Sequence, residues 1–253
     1  MFKLIKYELR ATFLTIVGIC IFVIIANLLL MTRKGSWDIT IISGLSVCLA
    51  IGAMVVIFIS SLNIMSKYLF GDSGYLLFTL PQSGKSIITS RVLTALIQIS
   101  IVIFASVFMC YLTVTDKIDL SFLKNFKASE VSYFIISYIW GIVYSLTFIY
   151  FCMVIGKVAL KGKKIGKIGS FIIFILLSVV ISWLSFKITN LLPQTLNLND
   201  FSITTKNALI DSNFTATGAA VNMNIASTVF DILTFVGLFT TTSYLIDKKL
   251  DLS

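Results

Sequence analysis

The stretch "GDSGYLLFTLPQSGKSIITSRV", residues 71 to 92, contains a run that looks like a phosphate-binding loop. Such a loop curls backbone N–H groups around phosphates between two glycines five positions apart, while its Lys and Ser reach phosphate oxygens and magnesium. Gly84, Lys85 and Ser86 would need glycine at position 79, which is Thr79, and Pro81 falls inside the candidate loop. The residues after Ser90 also run straight into a long apolar segment instead of a soluble helix. The spacing therefore argues against a nucleotide site in this chain.

Other chemistry is limited by residue type. With no histidine among 253 residues, a Ser-His dyad, a His-ligated metal and a His proton relay are excluded within the chain. Cys20, Cys48, Cys110 and Cys152 fall in four different apolar runs with no paired spacing, the pattern of free packed thiols. The eleven acids are scattered, and Asp231 alone is expected inside a membrane helix. A carboxylate at that depth should face the bundle, a wet cavity or a partner such as Lys187. It is a candidate for lining the exit of a pathway or latching its outer gate; a structural or snorkelling acid at a helix end is the alternative.

The elements that position these residues follow from composition. Hydrophobic residues make up 58% and charged residues 12% of the chain, with a mean hydropathy of +1.01. A soluble domain carries about 25% charged residues. Charges divide the sequence into uncharged runs over 11–32, 39–66, 92–115, 131–156 and 168–186, each near or above the roughly 20 residues a spanning helix needs. A sixth crossing must extend back from Ile246 through Asp231 to Ala226; a re-entrant or interfacial end is the alternative for this segment. The fold class expected is all-α, a polytopic membrane protein of six transmembrane helices forming a single transmembrane domain over 1–253.

Lys and Arg number thirteen in 1–12, 67–91, 157–167 and 247–253, against seven in 32–38, 116–130 and 187–225. By the positive-inside rule both termini are cytoplasmic. The net charge of +9 is explained by that asymmetry and by attraction to anionic membrane lipids, with no nucleic acid required. The first helix is longer than a signal-peptide core and lacks a clear cleavage pattern, so it is expected to stay.

Two cytoplasmic segments carry further signal. "MFKLIKYELRATF" places Phe2, Ile5, Leu9 and Phe13 opposite Lys3, Lys6 and Arg10, which predicts an interfacial amphipathic helix over 1–12. In the loop 67–91, the cluster Tyr75, Leu76, Leu77, Phe78 and Leu80 follows Asp72, Ser73 and Gly74 and is closed by Pro81. That pattern predicts a short capped helix facing the cytoplasm. Its apolar surface either docks a partner or folds back onto the bundle or the head groups.

"YELRATF" before the first crossing and "GDSGYLLFTLPQSGKSIITSRVLTAL" before the third resemble the permease subunits of bacterial ABC-2-type ABC transporters, with Asp72, Gly74, Leu80, Pro81 and Arg91 as the matching residues. The family often has Glu where Asp72 stands. The resemblance implies an ABC-2-type exporter fold with an elbow helix over 1–12, a coupling helix made of Asp72, Ser73, Gly74, Tyr75, Leu76, Phe78, Leu80 and Pro81, and re-entrant helices within the long external loop 187–225. It implies a bacterial cell-membrane protein without its own ATPase site or cofactor. Its partners would be two copies of a cytosolic ABC ATPase, which bind ATP and Mg, and a second copy of this permease or a homologous one. The cargo would be amphipathic: a peptide antibiotic, a lipid or a drug. A six-helix secondary transporter and a non-transport membrane immunity or assembly protein are the alternatives.

Overall fold

The computed structural model describes residues 2–33, 36–70, 83–114, 128–159, 166–197, 202–205 and 222–248. These fall into two compact units, Met1–Leu120 and Ser121–Ser253. Among the described residues six helices are long and apolar enough to cross a membrane, the shortest having 24 residues, or about 36 Å at 1.5 Å per residue. The chain is a multi-pass membrane protein with an all-helical membrane region.

The first unit holds α1 (Phe2–Thr32), α2 (Ile39–Phe70) and α3 (Gly84–Val114). α1 runs through residues 12 and 13 as one continuous helix, so the amphipathic N-terminal segment and the first crossing form a single rod. Its inward side is Ile5, Ile16, Val23 and Asn27, all buried, whereas Phe13 is exposed. The packed stripe therefore follows the spacing from Ile5 through Thr12 to Ile16 and leaves Phe13 beside it, where an aromatic ring suits lipid. The carbonyl of Asp38 accepts from Ile41 and Ile42 at 3.0 and 3.2 Å and opens α2. The carbonyl of Ser83 accepts from Ser86 and Ile87 at 2.9 and 3.2 Å, so the "SGKS" run is the first turn of α3.

Polar side chains set the register of the first unit. Ser46 donates to Asn27 Oδ1 at 2.6 Å, and Asn27 Nδ2 donates to the carbonyl of Val23 at 2.9 Å. Both residues are buried, where lipid offers no competing partner, so the pair fixes α2 against α1. Ile42, Ile57, Met65, Leu69, Ile88, Ala95 and Val102 are buried along the length of α2 and α3.

The second unit holds α4 (Ala128–Ala159), α5 (Gly166–Leu191), α6 (Ile225–Lys248) and three short strands, β1 (Gln194–Asn197), β2 (Ile203–Thr205) and β3 (Asn222–Asn224). Its core joins Phe148 and Cys152 of α4, Leu238 of α6 and Phe174, Leu177 and Ile181 of α5. The strands form an antiparallel sheet in the order β2-β1-β3, with Leu196 opposite Ile203 and Thr195 opposite Asn224. The described parts of the loop 187–225 hold these strands; residues 198–201 and 206–221, the rest of the segment in which re-entrant helices were expected, lie outside the described residues. Asn224 closes β3 and caps α6: its Oδ1 accepts from the Ser227 N–H at 2.9 Å and its Nδ2 donates to the Leu192 carbonyl at 3.1 Å. One side chain ties the sheet, the end of α5 and the start of α6 together.

Candidate functional site

The expected coupling residues Asp72, Ser73, Gly74, Tyr75, Leu76, Phe78, Leu80 and Pro81 lie outside the described residues. The helices that flank them are described, and a buried charged cluster joins those helices at the end from which the 71–82 connector leaves. Arg91, two turns into α3, places Nη1 2.8 Å from Oε1 of Glu8 on α1. The side chains are 6% and 10% exposed respectively. The Arg91 guanidinium also lies over the ring of Tyr68, 5.1 Å from its centroid. Tyr68 stands two residues from the end of α2, so the last turns of α2, the first turns of α3 and the start of α1 meet at one guanidinium.

A second layer supports this contact deeper in the bundle. Gln98 Nε2 donates to Thr12 Oγ1 at 2.7 Å, and that hydroxyl donates to the Glu8 carbonyl at 2.9 Å. The pairs 8–91 and 12–98 climb together, so α1 and α3 run parallel here. Thr94, Ser90 and Gln98, all buried, continue the polar face of α3 beside Arg91. Glu8 Oε2, Arg91 Nε and Gln98 Oε1 are buried without a hydrogen-bond partner among the described residues.

A guanidinium keeps its charge in proteins, so its carboxylate counter-charge makes the cluster a neutral mechanical joint. Removing one partner would leave the other charge buried and uncompensated. The arrangement joins α1, α2 and α3 at the end of the unit where α2 stops and α3 begins.

Asp231 is the seventh residue of α6 and is half-buried. Its expected partner does not pair with it: the Lys187 ammonium sits over the Trp183 ring, 5.7 Å from the centroid, a side chain reaching along its own helix. On the turn before Asp231, Ser227 approaches Ser185 of α5 at 3.5 Å; on the turn after it, Thr234 meets the Tyr144 hydroxyl of α4 at 3.3 Å. The same part of α4 and α6 carries an aromatic group, with Trp140 and Phe235 centroids 5.1 Å apart and Trp140 and Tyr144 centroids 6.4 Å apart.

Sequence reasoning singled out Arg91 and Asp231 but missed Glu8 as a partner, together with Tyr68, Gln98 and Asn27. The available signal was that Glu8 is the first acid of the chain and that Gln98 interrupts an apolar run. Among the described residues no group of three or more Cys, Asp or Glu side chains could hold a metal ion. Comparison with models of protein families, with characterised proteins and with solved structures found no match.

Proposed function

We propose that this chain is the membrane-spanning permease subunit of a bacterial ABC exporter of the ABC-2 type. It forms the translocation pathway for an amphipathic substrate and is driven by a separate cytosolic ATPase. The observation that carries the reading is the Glu8–Arg91 ion pair. Its two residues come from the two sequence segments that resemble the family, and the pair anchors the root of the connector that a partner would grip. In this reading the connector end of the first unit faces the cytoplasm, which agrees with the excess of Lys and Arg there. Residues 72–81 receive the movement of the ATPase, and the buried joint passes it into α1 and α3.

The partner ATPase supplies ATP and Mg chemistry; this chain supplies the docking segment and the pathway. Tagged protein purified in mild detergent is expected to carry a protein with an ATP-binding cassette sequence, identified by mass spectrometry, together with ATPase activity. Recovery of the intact chain without such a protein under conditions that preserve membrane complexes would contradict the reading.

A further inference from the structure

Asp231 is a half-buried carboxylate inside a membrane helix, and among the described residues no cation pairs with it. A charge at that depth is expensive unless something compensates it. Lys187, the cation nearest in expectation, is engaged on Trp183. The polar groups one turn away on either side, Ser185, Ser227, Thr234 and the Tyr144 hydroxyl, carry no positive charge. Helical spacing places Ser227, Asp231, Thr234 and Phe235 on one side of α6, the side that meets α5 through Ser227 and α4 through Thr234 and Phe235.

The surroundings specify the kind of cation. A metal ion would need several oxygen or sulfur ligands, and no group of three acidic or thiol side chains occurs among the described residues. The next turn of the same side of α6 is aromatic: Phe235, four residues after Asp231, meets Trp140 of α4, which in turn meets Tyr144, and Phe239 lies 6.1 Å from Phe235. Aromatic faces attract soft organic cations and also accept apolar bodies.

We propose that this seam binds an amphiphile that carries an organic ammonium group, the ammonium meeting Asp231 and the apolar body meeting Trp140 and Phe235. The site names the substrate class for the permease reading and rests on that reading only for movement after binding. Binding to the purified chain tests it without any ATPase, so the two can fail separately.

The chain has Trp37, Trp140 and Trp183. In lipid nanodiscs, a Trp37→Phe/Trp183→Phe background leaves Trp140 as the reporter. Titration with decyltrimethylammonium is expected to change its fluorescence saturably, while uncharged decyl maltoside at equal membrane loading binds at least about tenfold more weakly. Asp231→Asn should weaken cation binding about tenfold or more, and Asp231→Glu should restore most of it. Equal response to the two amphiphiles, a response that rises without saturating, or unchanged binding in Asp231→Asn would overturn the proposal. If Asp231→Asn fails to fold, the charged-against-neutral comparison in the parent protein decides alone.

Discussion

Glu8 and Arg91 face each other at 2.8 Å across the start of α1 and α3. The contact closes the first unit at the end where the chain leaves α2 for the connector. A pair so little exposed is held by mutual neutralisation more than by its net attraction. Glu8→Leu or Arg91→Leu alone is expected to destabilise the protein by about 3–5 kcal/mol, whereas the double substitution recovers most of that loss. Denaturant unfolding in detergent micelles measures it. Equal destabilisation by the double and single variants would remove the pair from the account.

The Asn27–Ser46 contact is a second buried polar tie, between α1 and α2. Ser46→Ala should cost about 0.6 kcal/mol and at most about 2, because hydrogen bonds between membrane helices contribute modestly. Asn27→Leu should cost more, since it takes the Oδ1 acceptor from Ser46 and also removes the amide that bonds the Val23 carbonyl. A cycle of single and double variants in the same unfolding assay separates the coupling from the loss of each side chain.

Asn224 governs the start of α6. Replacing it by Ala removes the cap on Ser227 and the bridge to Leu192, and should lower stability by about 1 kcal/mol or slightly more. Asn224→Asp keeps an acceptor for the cap but loses the donor to Leu192, so it should fall between Asn224→Ala and the parent. A reversed order would show that the bridge outweighs the cap.

The six crossings were legible because the bilayer imposes a length and a polarity that the uncharged runs meet directly. Even the marginal sixth helix, with Asp231 in its first half, extends over the residues expected of it. What could not be read was which polar residues meet. Glu8 stood without a role of its own in the segment predicted as an interfacial helix, and Arg91 only as a residue matching the family pattern; the parallel packing of α1 and α3 makes them partners. Lys187 was one of the alternatives considered for Asp231, beside the bundle and a wet cavity, but its flexible stem reaches Trp183 on its own helix. The strands escaped notice because Gln194–Asn197 and Asn222–Asn224 are too short and polar for an alternating pattern.

Orientation is open to direct test. Reporters fused after Ser253 and inserted near Lys163 should read cytoplasmic, and one near Ser202 external, as the thirteen-to-seven split of Lys and Arg requires. A cytoplasmic reading at Ser202 would invert the second unit and remove the rationale for the connector's position.

The most direct measurement is partner retention by a Tyr75→Ala/Phe78→Ala double variant. Interface energy concentrates in a few aromatic anchors at about 2 kcal/mol or more each, so the variant should insert normally, keep the unfolding profile of the parent and lose at least about tenfold of the co-purifying ATP-binding cassette protein. Retention of that protein at the parent's yield would contradict the claim that residues 72–81 receive the work of ATP hydrolysis.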